Sequence, residues 1–115
     1  NLDGAWGEAL TAEYLRKKKY TIVAAGYRSR FGEIDLIAQN KHHLVFVEVK
    51  FRTSLRKGAP EEAVGAAKQR VICRVADYYR CTHGIGQSVS VRYDVIAVLN
   101  DQIRWYRNAF FHRYR

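Results

Sequence analysis

A chain of 115 residues can bury one substantial core but not two, so a single domain over residues 1–115 is expected. With 48% apolar or aromatic residues, one proline and eight glycines, a disordered or collagen-like chain is excluded. Lys and Arg number 20 against 11 acidic residues, a formal charge of +9 that favours a polyanionic partner, nucleic acid first, over a merely basic surface.

The first segment, from Asp3 to Lys18, reads as a helix that Asp3 can cap, with Trp6, Ala9, Leu10 and Tyr14 recurring at helical spacing. Lys17-Lys18-Lys19 follows as a solvated end that complements the helix dipole. Tyr20 to Ala25 is a short strand, and Gly26 to Arg30 is either its continuation or a basic loop. Gly32 to Ile37 and Val45 to Arg52 read as strands, separated by the turn-like Asn40-Lys41-His42-His43. A polar, basic connection from Thr53 to Gly58 then precedes a long helix opened by Pro60, with Glu61 and Glu62 in its first turn. Val64, Ala67, Val71, Val75 and Tyr78 or Tyr79 form its expected buried stripe, and Gly84-Ile85-Gly86 ends it. Val89 to Leu99 alternates into another strand, and Asn100-Asp101-Gln102 turns into Ile103 to Tyr106. Helix, three strands, helix, two strands: the order predicts a mixed α/β sandwich around a central sheet.

Two of these strands carry charge where a sheet interior would be apolar. Side chains alternate along a strand, so Phe46, Glu48, Lys50 and Arg52 share one face while Val45, Val47, Val49 and Phe51 share the other. Asp35 points away from its neighbours Ile34 and Leu36. Buried charges are costly unless paired or bound to a metal. An Asp and a Glu converging from adjacent strands make a hard-oxygen site suited to Mg²⁺ or Mn²⁺, and a lysine two residues on can activate water or steady a phosphate. That combination suggests phosphodiester hydrolysis. The competing reading is a solvated strand face laced with weak ion pairs.

Glu33 lies two residues before Asp35 and faces the same side, as a supporting acid or as the start of the strand. Arg52, Arg56 and Lys57 adjoin the Glu-x-Lys strand and suit contact with backbone phosphates. Asp94 interrupts an apolar strand and calls for a structural partner rather than a metal. His42 and His43 read as turn residues, while His83 and His112 stand alone. Tyr78, Tyr79, Trp105, Tyr106, Phe110 and Phe111 are expected in the core or on a subunit surface. Cys73 and Cys81 lack zinc or CxxC spacing and are expected as free buried thiols. No apolar run approaches membrane-spanning length and no signal peptide is visible, so a cytoplasmic protein without a membrane partner is expected.

Taken together, these segments resemble the YraN-type uncharacterised protein family of the restriction-endonuclease-like superfamily, alongside archaeal Holliday-junction resolvases. The resemblance covers Gly4 to Phe110 and rests on three segments. They are Gly7-Glu8-Ala9 with Ala12 and Tyr14-Leu15, Gly32 to Ile37, and Phe46-Val47-Glu48-Val49-Lys50 with Arg52. Gly58, Pro60, Lys68, Ala76 and Tyr79, Arg92 to Ile96, and Asn108-Ala109-Phe110 add support. The chain departs at Ala25-Gly26-Tyr27, where the family usually has an asparagine before a basic residue.

The resemblance implies a restriction-endonuclease-like mixed sheet of about five strands flanked by helices. It also implies a catalytic core of Asp35, Glu48 and Lys50 that Glu8 joins from the first helix, and a polar residue on the second, Lys68 or Gln69, turned into the site, with a solvated helix face as the competing reading. A metal-dependent endonuclease acting on structured or branched DNA is therefore expected. Asp35 and Glu48 would hold Mg²⁺ or Mn²⁺ with the Val49 carbonyl assisting, Glu8 would bind the metal or its water, and Lys50 would orient the attacking water. Arg52, Arg56, Lys57 and Lys68 would grip DNA. One subunit with one site nicks one strand, so symmetric cleavage would call for a homodimer. Two alternatives stand beside it: a nuclease-fold module that binds nucleic acid without cutting, and an interaction protein whose acid–lysine cluster is purely structural.

Overall fold

The computed structural model describes residues 2–52 and 64–113. Helix α1 runs Leu2–Lys17, strands β1, β2 and β3 run Thr21–Ser29, Gly32–Gln39 and Leu44–Phe51, helix α2 runs Ala66–Thr82, and β4 and β5 run Val91–Leu99 and Gln102–Phe110. The strands form one sheet in the order β1-β2-β3-β4-β5. β3 and β4 pair in parallel and every other neighbouring pair is antiparallel. A parallel pair needs a crossover, and α2 supplies it. This is an α/β mixed sheet with two helices, of the restriction-endonuclease-like kind.

Two apolar layers hold the helices to the sheet. Ile72, Cys73, Val75, Ala76 and Tyr79 of α2 pack with Ile37, Phe46, Tyr93 and Val95 on one face. Ala12 and Leu15 of α1 pack with Leu36, Val45, Val47, Ile96 and Val98 on the other. Being covered on both faces explains why β4 is buried almost continuously instead of alternating. Among the described residues, no helix is long and apolar enough to cross a membrane.

Several local expectations change. α1 begins ahead of Asp3, so Asp3 lies in the first turn rather than at the cap. Its buried face is Gly7, Thr11, Ala12 and Leu15, whereas Trp6 and Ala9 are exposed. Small residues let the helix lie close: a Cβ on Gly7 would collide with the Phe51 ring. α2 starts at Ala66 with Gly65 as its N-cap, so Val64 precedes the helix although it is buried in the core. The stripe that α2 buries is centred on Ile72, Cys73, Val75, Ala76 and Tyr79, leaving Ala67 and Tyr78 exposed. Pro60, Glu61 and Glu62 lie outside the described residues. β1 continues through Gly26 to Ser29, Val89 is exposed ahead of β4, and β5 extends to Phe110. Both cysteines are free, but Cys81 is exposed. The two lone histidines have partners: His112 lies 2.6 Å from the Tyr93 hydroxyl and 3.2 Å from Asp77, and His83 Nδ1 lies 2.9 Å from the Tyr79 carbonyl oxygen.

Asp94 has the structural role expected of it. β4 and β5 shift register between Tyr93↔Phe110 and Val95↔Tyr106, so Asp94 alone stands opposite Arg107, Asn108 and Ala109. Its buried carboxylate accepts two bonds from Arg92, one from Trp105 Nε1 and one from the Asn108 backbone N–H. The main-chain group displaced by the bulge is thus satisfied by a side chain. Asp94→Ala leaves the Arg92 guanidinium, only partly exposed, without its counter-charge. We expect a loss of about 3–5 kcal/mol in urea unfolding, the usual scale for breaking a buried pair from one side.

Candidate active site

β2 and β3 do not stay together along their full length. They pair from Gln39↔Leu44 only as far as Leu36↔Val47, although β2 begins at Gly32 and β3 continues to Phe51. The strands part at Asp35. Its carboxylate fills the gap, with Oδ2 accepting the Val49 backbone N–H at 2.8 Å. The pleat slips there as well. Ile34 and Ile37 pack on the α2 side, while Leu36 and Ala38 pack on the α1 side. Ile34 and Leu36 therefore do not share a face, and Asp35 points between the strands rather than off one surface. On β1, Ala25 pairs with Leu36 and Tyr27 with Ile34, which leaves Gly26, at φ +63, opposite Asp35. That left-handed conformation suits glycine.

Three further carboxylates converge on Asp35. Glu8 of α1 and Glu33 of β2 each offer an oxygen such that these and one from Asp35 all lie within 4.8 Å of one another. Glu48 comes from the opposite side, sharing the face of Phe46, and is only 7% exposed. Its carboxyl lies close enough to that of Asp35 to feel its charge. Two lysines face it: Lys50 Nζ at 3.6 Å and Lys68 Nζ, from α2, at 3.9 Å. Asp35 is the shared member, with Glu8 and Glu33 to one side and Glu48, Lys50 and Lys68 to the other.

The electrostatics follow from this crowding. Burial, and then the Asp35 charge, push the Glu48 carboxyl up to about 7, while Lys68 and Lys50 pull the other way without cancelling the rise. Glu8 is also raised, by burial and by the negative charges of Asp35 and Glu33. Carboxylates repelling one another this closely are ill-suited to an ordinary ion-paired surface. Converging hard oxygens from three chain segments are a donor set that can hold a divalent cation.

Glu8, Asp35, Glu48 and Lys50 are thus brought together, and Lys68 joins them. The Val49 peptide is fixed beside the cluster through its N–H. Arg52 is exposed at the end of β3, and Arg56 and Lys57 lie outside the described residues. Glu33, which sequence left between a site acid and a strand start, belongs to the cluster; its two-residue spacing from Asp35 was the available signal. Gln69, next to Lys68, is not part of it, because its amide is engaged by the Val64 carbonyl and Arg113. His42 and His43 are turn residues whose backbone N–H groups donate to Asn40 Oδ1.

Sequence comparison agrees with the resemblance drawn from the motifs. The profile of the uncharacterised protein family UPF0102 matches residues 7–98, from the residue before Glu8 to the end of the buried part of β4. The chain belongs to UPF0102. A UPF0102 protein of Lachnoclostridium phytofermentans is 44% identical over 109 residues, covering 95% of this chain and 92% of the relative. One from Alkaliphilus oremlandii is 47% identical over 96 residues (83% and 82%), and one from Persephonella marina 39% identical over 109 residues (95% and 93%). The UPF0102 match spans every member of the carboxylate–lysine cluster.

The raised Glu48 carboxyl predicts a pH dependence. A folded value of about 7 against 4.5 means that the native state keeps a proton the unfolded chain has shed. Stability from this group is therefore present below pH 4.5 and is lost as pH rises towards 7 and beyond. Glu48→Gln keeps the group neutral at every pH. Its melting temperature should match the parent near pH 4.5 and exceed it at pH 8, by on the order of 2–3 kcal/mol in unfolding free energy. A constant difference across that range would show that Glu48 carries no such shift.

Proposed function

We propose that this protein is a metal-dependent endonuclease that hydrolyses phosphodiester bonds in DNA, with structured or branched DNA as its substrate. The observation that carries the reading is the convergence of Glu8, Glu33, Asp35 and Glu48 with two lysines where β2 and β3 part. Arg28 stands 3.3 Å from Glu33 and two lysines face Glu48, yet the cluster still sets Glu8, Glu33, Asp35 and Glu48 against one another, an arrangement that a divalent cation relieves.

In this reading Asp35 and Glu48 would hold Mg²⁺ or Mn²⁺ with the Val49 carbonyl, and Glu8 would assist in binding the same ion. When bound, the cation neutralises charge developing on the scissile phosphate and makes water a better nucleophile. Val49, through its N–H to Asp35, fixes that carboxylate in orientation. Glu48 would have to give up its proton to hold the ion, so binding is expected to strengthen as pH rises through about 7. Lys50, 3.6 Å from Glu48, orients the attacking water or steadies the phosphate, and Lys68 lies on the same side. Arg52, Arg56 and Lys57 hold the flanking backbone, consistent with the +9 charge of the chain. Symmetric cleavage of a branched substrate would take two subunits.

The test is cleavage of labelled duplex, single-stranded, flap and four-way DNA with Mg²⁺, Mn²⁺ or EDTA. Metal-dependent cutting, abolished in Asp35→Ala and Glu48→Ala, is expected. Lys50→Ala should bind DNA and metal nearly as well as the parent yet cut about two to four orders of magnitude more slowly. Binding without cutting under every metal condition would leave a nucleic-acid-binding module instead.

A further inference from the structure

The turn that joins β1 to β2 carries a second feature, beside the acid cluster but distinct from it. Phe31 sits at this turn between Ser29 and Gly32, and two guanidinium groups lie on its ring. The Arg74 Cζ is 4.4 Å from the ring centroid and the Arg30 Cζ is 4.9 Å from it. Arg74 comes from α2, so the pair joins two separate elements of the fold. Tyr78, one turn further along α2, meets Phe31 edge-on at 5.7 Å.

The turn is held in place by close packing. Gly32 has φ +143, and a Cβ there would come within 2.6 Å of a Val71 methyl on α2. The Ser29 hydroxyl oxygen accepts the Phe31 backbone N–H at 3.1 Å, closing the turn from within. Phe31 and the two arginines are therefore presented on a fixed ridge rather than on a loose loop.

Two like charges gathered on one ring repel each other, and the ring's negative face offsets only part of that. Arg28, on the same hairpin, is answered by Glu33 at 3.3 Å. Among the described residues, neither Arg30 nor Arg74 has a carboxylate within ion-pair distance, and both are exposed. What they lack is an anion with oxygens for both. Phe31 is the turn residue just before β2 and lies four positions before Asp35, at most roughly 13 Å at 3.3 Å per residue. An anion bound there would sit a short distance from the acid cluster, along the path of a polymer entering it.

We propose that Arg30 and Arg74, braced on Phe31, grip the phosphodiester backbone of DNA beside the acid cluster. The inference rests on the endonuclease reading and names where the substrate runs: over the β1–β2 turn and across α2. Guanidinium forks suit phosphate oxygens, and aromatic bracing lowers the entropy lost when each contact forms. The contact is to backbone and is sequence-independent.

The experiment measures binding of labelled four-way and duplex DNA by fluorescence anisotropy in EDTA, from low to moderate salt. It compares the parent with the Arg30→Gln/Arg74→Gln double variant and with Lys41→Gln, a charge removed from the exposed turn at the other end of β2. The double variant should bind about tenfold or more weakly at low salt, and its slope of log affinity against log salt should fall by about two. Lys41→Gln should change neither, and Mn²⁺ binding to the double variant, by calorimetry, should equal the parent's. A double variant that matches Lys41→Gln in affinity and slope overturns the grip while leaving the endonuclease reading intact. A parent that binds no DNA overturns both.

Discussion

The site depends on the parting of β2 and β3 at Asp35. A ladder that continued past Leu36 and Val47 would satisfy its own backbone and leave no room between the strands. Because it stops, the Val49 N–H needs another acceptor, and the Asp35 carboxylate provides one. The same carboxylate then faces acids from both sides of the sheet, Glu8 from the α1 layer and Glu48 from the face that α2 covers. A side chain pointing off either surface could not be shared in this way. The gap in the ladder is what makes one cluster out of residues from a helix and two strands.

Asp94 and Glu48 show how environment separates two buried carboxylates on adjacent strands. Asp94 is saturated with donors: a guanidinium, an indole N–H and a backbone N–H. It holds a bulge in β5 and has no spare valence. Glu48 meets a second carboxylate and two ammonium groups that stand 3.6 and 3.9 Å away, and its proton is retained close to neutral pH. The first environment is what stability favours. The second is costly to the fold and useful for chemistry, since a group poised between its two states responds to a cation or a substrate.

Much of this was legible in the sequence. Glu-x-Lys spacing puts Glu48 and Lys50 on one strand face whatever the fold, and Asp94 in an apolar run announces a buried partner. The helix stripes were read less well. In α1 the largest apolar residues, Trp6 and Tyr14, are not the most buried, because the helix approaches the sheet through Gly7, Thr11 and Ala12. In α2 the true start at Ala66 shifts the stripe, since Val64 is buried as part of the connection and not of the helix. Periodicity reports which residues can face a core; how closely the helix approaches decides which of them do.

The sequence by itself determined the order of elements and the identities of the acids and lysines, because these follow from local propensity and from alternation within single strands. It could not place Asp35 between strands, because a strict two-residue period puts Ile34 and Leu36 on one face and the slip that separates them arises only where β2 leaves β3. Nor could it bring Lys68 to Glu48 or Arg74 to Phe31, since both contacts depend on how α2 crosses the sheet after the chain has left β3. Contacts between elements distant in sequence are set by packing, and packing is a property of the folded layers and not of any one segment.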